Sequence, residues 1–218
     1  MLQVSWGWLR MMSEPFTVKY LVKSSSSTIK CFHSFDILIN MRGKDVVELY
    51  TSLQRQGVQI WIDGGWGVDV LLGQQTRPHK DLDIVIQQKD LPKLRELLEQ
   101  RKYKEIEIDQ ARPHNFVLAD DNGFEIDVHV IVLDEKGNGM YGPAENGDTY
   151  PADSLTGKGI IESQKIKCIS PEWMVKFHSG YDLKEKDFLD VSALCSRFGM
   201  DLPDEYKRFN KPVSDSNN

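Results

Sequence analysis

IDGGWGVDVLLGQQTRPHKDLDIVI, residues Ile62 to Ile86, is the stretch on which the rest of the chain turns. The apolar, β-branched run VQIWI (58–62) leads into it and reads as a strand. Gly64-Gly65 reads as a turn, Trp66 to Leu72 as a short helix closed by Gly73, and Leu82 to Ile86 as a second strand. Side chains alternate along a strand, so Leu82, Ile84 and Ile86 share a face suited to a core. Asp81 and Asp83 share the other, roughly 6.6 Å apart along the backbone.

Upstream of this stretch, Val46, Val47, Leu49, Tyr50 and Leu53 recur at helical spacing in a segment beginning near Met41. Downstream, Leu91 to Arg101 reads as an amphipathic helix, and Tyr103 to Ile108, Asn115 to Ala119 and Phe124 to Leu133 as strands. The DDNG turn at Asp120 to Gly123 joins the last two. Asp134 to Tyr150 reads as a Gly-rich loop, and Lys165 to Ile169 as a short strand. Ser170 is placed to cap a helix with Pro171 at its first position. Helices over Lys184 to Arg197 and Pro203 to Phe209 close the chain. Strands interleaved with helices and followed by a helical end predict an α+β (α/β-like) fold, a mixed sheet flanked by helices with a small helical C-terminal part.

Residues 1 to 40 differ in character from the rest of the chain. They carry the run Ser24 to Ser27, no sustained period, and a basic balance of Arg10, Lys19, Lys23 and Lys30 against Glu14 and Asp36. The expectation is a loose extension, or an upstream stretch not normally translated. The functional domain would then be residues 41–210, a core of 41–169 and a helical part of 170–210, with a frayed tail at 211–218.

The 218 residues are 40% hydrophobic and 28% charged, enough for a sizeable buried core. A net charge of −6 disfavours a general nucleic-acid binder, which needs a basic face to displace phosphate counterions. Cys31, Cys168 and Cys195 are too few and too scattered for a disulfide framework or a zinc pair, and predict thiols in a reducing cytosol. No apolar run approaches a membrane span. Trp61, Trp66 and Trp173 are read as core or pocket wall.

Two carboxylates on one strand face repel each other unless a cation lies between them. Mg²⁺ takes one or two carboxylates together with phosphate oxygens and water, a chemistry that suits nucleotidyl transfer. FEIDVHVIV also alternates: Phe124, Ile126, Val128 and Val130 on one face, Glu125, Asp127 and His129 on the other. If the two strands are neighbours, Asp127 faces Asp81 and Asp83, able to complete a metal site or to accept a hydroxyl proton. The same pattern also fits the solvated face of a half-buried sheet. Gly64-Gly65 would let the backbone approach a ligand, with the next helix offering its N–H groups to phosphate. Arg77 and His79 would balance phosphate charge or form surface ion pairs, and Asp69 would be a buried partner for Arg77.

GG, then an acid pair of form DxD, then a later Asp on a strand resembles the nucleotidyltransferase superfamily related to DNA polymerase beta. The string GGWGVDVLLGQQTRPHKDLDI is similar to the motif of the aminoglycoside 2″-adenylyltransferases and lincosamide nucleotidyltransferases, at Gly64, Gly65, Trp66, Asp69, Gly73, Thr76, Arg77, His79, Asp81 and Asp83. The resemblance runs from about Met41 to Phe198. It implies that Asp81 and Asp83 bind Mg²⁺, with Asp127 as third carboxylate and general base. It also implies that Gly64 and the backbone after it hold the triphosphate. Relatives often carry a lysine-acid step in the helical region. Lys186-Asp187 matches it, placing Lys186 near the nucleotide; a solvated helical charge cluster fits the same residues.

The resulting expectation is a cytoplasmic enzyme that moves a nucleoside monophosphate, AMP from ATP or its equivalent from another triphosphate, to a hydroxyl of a small molecule. A lincosamide or aminoglycoside is the acceptor the resemblance suggests. The alternatives are a protein or RNA acceptor, or a non-catalytic nucleotide-binding module. Asp134 to Glu145 nearly fits a calcium loop, but Lys136 puts a cation where an oxygen ligand belongs; it is read as a flexible loop over the acceptor.

Overall fold

The computed structural model describes residues 17–18, 35–36, 40–108, 112–143 and 148–210. The chain divides into two units, residues 1–39 and 40–218. In the first, β1 (Thr17–Val18) pairs antiparallel with β2 (Phe35–Asp36). The remainder of the expected N-terminal extension, and the expected tail at 211–218, lie outside the described residues.

In the second unit, α1 (Gly43–Arg55) buries Val46, Leu49, Tyr50 and Leu53, the i, i+3, i+4, i+7 stripe of an amphipathic helix. The main sheet contains β3 (Ile60–Ile62), β4 (Asp81–Gln87), β5 (Lys104–Ile106), β6 (Asn115–Ala119) and β7 (Glu125–Leu133). Their order is β3-β4-β7-β6-β5, and every pairing is antiparallel except β4 with β7. The sheet is therefore mixed and the class α+β. A parallel pair needs a crossover; here α3 (Leu91–Gln100), β5 and β6 lie between the two strands, and α3 buries Leu94 and Leu98.

Two short strands, β8 (Gly139–Tyr141) and β9 (Thr149–Tyr150), extend the sheet from the far end of β7. They correct the expectation of a Gly-rich loop over the whole of Asp134 to Tyr150. The Asp134 carboxylate accepts from the N–H groups of Lys136 and Asn138, both at 2.8 Å, and so closes the β7–β8 turn.

α2 (Gly64–Leu72) is buried nearly all round, including Trp66, Val68 and Val70. A helix that apolar belongs in a core. A hairpin of β10 (Lys158–Ile161) and β11 (Gln164–Lys167) packs on it so closely that a Cβ on Gly159 would lie 2.0 Å from the Val70 carbonyl oxygen. β10 is a strand that the sequence reading did not assign. Beyond the hairpin, Ile169 N–H donates to Ile62 O at 3.0 Å. α4 (Pro171–Phe177) comes next with Ser170 at its N-cap, although the serine hydroxyl makes no capping bond. α5 (Glu185–Phe198) and a 3₁₀ segment, Asp204–Asn210, complete the unit. Trp61 and Trp66 are core residues, and Trp173 packs half-buried against Phe177. Cys168 and Cys195 are free buried thiols; Cys31 lies outside the described residues.

Candidate active site

The site starts at the β3–α2 turn. Asp63 is the N-cap of α2, and its Oδ1 accepts from Gly64 N–H at 2.8 Å. Gly64 has φ +55°, and a Cβ there would lie 2.1 Å from Asp83 Oδ2. A Cβ on Gly65 would lie 2.4 Å from Arg77 Nη2 and 2.6 Å from His79 Nδ1. Both glycines are thus required by close approach: the turn is pressed against the acid end of β4 and against the segment just before it.

Parallel register then builds the charge cluster. Asp83 stands opposite Asp127, Asp81 opposite Glu125, and Val85 opposite His129. The apolar residues of the opposite face, Leu82, Ile84, Ile126 and Val128, are fully buried and hold the two strands in that register. Asp83, Asp127 and His129 each offer a ligand atom, all within 4.8 Å of one another. Asp81 is exposed, and Lys80 Nζ pairs at 3.2 Å with the Glu125 beside it. Burial, reinforced by the charge on Asp81, pushes the Asp83 carboxyl up to about 7. Burial pulls the His129 imidazole down, but the Asp127 carboxylate 3.6 Å from Nε2 and the charges of Asp63 and Asp83 outweigh it, leaving the ring's pKa raised. Crowded hard oxygen donors, one of them buried beside like charge, fit a divalent cation.

Supporting contacts surround the cluster. Asn115 Nδ2 donates to Asp127 Oδ1 at 2.8 Å. The Tyr150 hydroxyl donates to Asp63 Oδ2 at 3.0 Å and lies 2.7 Å from His129 Nδ1. Asp81, Asp83 and His129 open onto a cavity of about 560 Å³, whose lining also includes Tyr141, Tyr150, Phe177 and Tyr181. Tyr141, Tyr150 and Phe177 make successive edge-on contacts, with ring centroids 5.8 and 5.1 Å apart.

The expected nucleotide-site residues Gly64, Gly65, Arg77, His79 and Lys186 all line this cavity. Their partners differ from the expectation in one respect. Asp69 is not the partner of Arg77. Its Oδ2 lies 2.5 Å from His79 Nε2 in the interior, and its Oδ1 accepts from the N–H of the exposed Thr76 at 3.0 Å. Arg77 instead forms a forked pair with Asp190 of α5, at 2.7 Å from Nη2 and 3.1 Å from Nε. His79 is thereby a buried support behind Gly65. Lys186 is exposed near the start of α5. Sequence reasoning missed Asp63, Asn115, Tyr150 and Asp190. An aspartate directly before the glycine pair, in the N-cap position, was the one available signal for Asp63; Asn115 is brought in by the β6–β7 hairpin, and Tyr150 and Asp190 by contacts across long separations.

A glycine turn against a register-matched carboxylate pair, on a mixed sheet beside a cavity, is the arrangement of a nucleotidyltransferase. The family model for aminoglycoside-2″-adenylyltransferases matches residues 45–194. A lincosamide resistance protein from Staphylococcus haemolyticus is 34% identical over 157 residues, covering 72% of this chain and 96% of that one. The lincomycin-bound structure of the lincosamide antibiotic adenylyltransferase LnuA is also 34% identical, with a TM-score of 0.63 over 72% of this chain and 98% of that chain. ANT(2″)-Ia in complex with adenylyl-2″-tobramycin shares the fold, with a TM-score of 0.58, 19% identity, and coverage of 72% and 89%. The chain belongs to the aminoglycoside-2″-adenylyltransferase family of antibiotic nucleotidyltransferases. No helix among the described residues is long and apolar enough to cross a membrane.

Proposed function

We propose that this chain is a cytoplasmic, Mg²⁺-dependent adenylyltransferase that moves AMP from ATP to a hydroxyl group of a small antibiotic, a lincosamide in the first instance. The observation that carries this reading is the direct pairing of Asp83 with Asp127 beneath the Gly64 turn. The 34% identity to proteins named for lincosamides supports the acceptor class. So does the aromatic wall, which suits an acceptor with an apolar face.

Asp127 takes the proton of the acceptor hydroxyl. Asn115 ties down Oδ1 of that carboxylate, which fixes its plane. The acceptor oxygen attacks the α-phosphorus, the bond to the bridging oxygen breaks, and pyrophosphate leaves. Gly64, Gly65 and the first turn of α2 hold the triphosphate, with Arg77 and His79 backing the turn. Lys186 supplies positive charge from α5. Asp81 and Asp83, with Asp127, would hold the cation, which would supply charge stabilisation at the reacting phosphate. Held in this way, donor and acceptor react with the advantage of fixed proximity.

The test is pyrophosphate release with Mg²⁺ and ATP against panels of lincosamides, aminoglycosides and aminocyclitols. Turnover confined to one panel names the acceptor. No turnover with any panel overturns the antibiotic reading. Replacing ATP by the other triphosphates in the same assay decides the donor.

A further inference from the structure

Tyr150 closes β9, in the segment between the β7–β8 hairpin and α4, yet its hydroxyl reaches the floor of the site. The phenol is buried, and burial beside Asp63 pushes its pKa well above the ordinary value, so it keeps its proton. It has one proton to give and two polar neighbours: Asp63 Oδ2 at 3.0 Å and His129 Nδ1 at 2.7 Å. An ionised carboxylate accepts only, so the phenolic proton goes to Asp63. The contact with His129 is then satisfied only if Nδ1 carries a proton and donates it to the phenolic oxygen. In the neutral ring that leaves Nε2 as the free nitrogen, and Nε2 lies 3.6 Å from Asp127 Oδ1. The other oxygen of Asp63 already holds the N–H of Gly64.

We propose that Tyr150 is a positioning residue for the transfer reaction: backed by Asp63, its hydroxyl fixes His129 as the Nδ1–H tautomer and aims Nε2 at the Asp83–Asp127 carboxylates. Asp63 is the shared node. One oxygen shapes the turn that approaches the phosphates and the other sets the histidine beside the base, so the two halves of the site are held to each other through one buried carboxylate. His129 thereby adds a nitrogen donor to the carboxylate oxygens. It follows the general pattern in which a site histidine has its second nitrogen anchored by a buried acceptor, here with a phenol interposed. The inference rests on the reading of Asp127 as the general base.

The test is Tyr150→Phe in the full chain, which keeps the ring packing against Tyr141 and Phe177 and removes only the hydroxyl. ¹⁵N NMR of the histidine rings is recorded on the alkaline side of the His129 titration, and the signal is assigned by its loss in His129→Gln. The expected result is a wild-type Nδ1–H pattern that moves toward the other tautomer in Tyr150→Phe. A fall in kcat of about 10- to 100-fold should accompany it, with KM for ATP and for the acceptor within about twofold. Asp63→Asn, similar in shape, should move the same ring signals and serves if Tyr150→Phe does not fold. Unchanged ring signals, or kcat within twofold of wild type, overturn the proposal. The ring signals need no turnover, so the relay is decided even if every acceptor panel fails.

Discussion

A carboxylate placed opposite Asp127 across a parallel strand pair, with Asp81 two residues before it, meets like charge on two sides. Burial of Asp83 is the larger effect and the neighbouring charge the smaller, and together they raise its pKa to about 7 from the ordinary 3.8. The folded state therefore holds that proton more tightly than the unfolded chain does. The associated stabilisation is complete below the unfolded value and is lost as pH rises through about 7. In the metal-free protein this group makes Tm fall between roughly pH 4 and pH 7. Asp83→Asn should flatten that slope and raise the metal-free Tm at pH 8, while cutting pyrophosphate release by about a hundredfold or more. Calorimetry and the release assay on one preparation check both arms, and a variant that keeps its activity would remove Asp83 from the mechanism. Alternation along DLDIVI and FEIDVHV made this acid face legible from the sequence alone. What alternation could not convey was register, which makes Asp127 and not Glu125 the direct partner of Asp83.

At the scale of elements, α2 and the segment leading into β4 are locked by Asp69. It is fully buried, and its two oxygens serve Thr76 and His79. Asp69→Ala would leave the buried His79 ring without its partner and free the Thr76 N–H, at a cost of about 1–3 kcal/mol. Urea unfolding should show a lower midpoint at unchanged m-value. The boundaries of α3, β4, β6 and β7 were readable to within a residue from period and punctuation, because their apolar stripes face one core, whereas α2 starts at Gly64, inside the glycine pair read as a turn. β8 and β9 were not. Three-residue and two-residue strands in a Gly-rich polar run have no period of their own, and their pairing is imposed by the end of β7. Tyr150 went unnoticed for the same reason.

Across the whole folded unit, the helical C-terminal part is fastened to the glycine turn by Arg77 and Asp190, two residues far apart in the chain that no local pattern could pair. Asp190→Ala should cost roughly 2–3 kcal/mol and raise KM for ATP, since the freed guanidinium lies against Gly65. Lys186, exposed on the same helix, should behave differently: Lys186→Ala raises KM for ATP several-fold while stability changes by no more than about 0.5 kcal/mol. Steady-state kinetics alongside thermal melts separates the two variants. The parallel pairing of β4 with β7 has a consequence in time. Residues 83 and 127 are brought together across an intervening helix and two strands, and non-local pairings of that kind are the slow ones in folding. On the ribosome or after dilution from denaturant, the chain passes through every earlier stage catalytically silent, and the return of activity serves as a clock for the completed sheet.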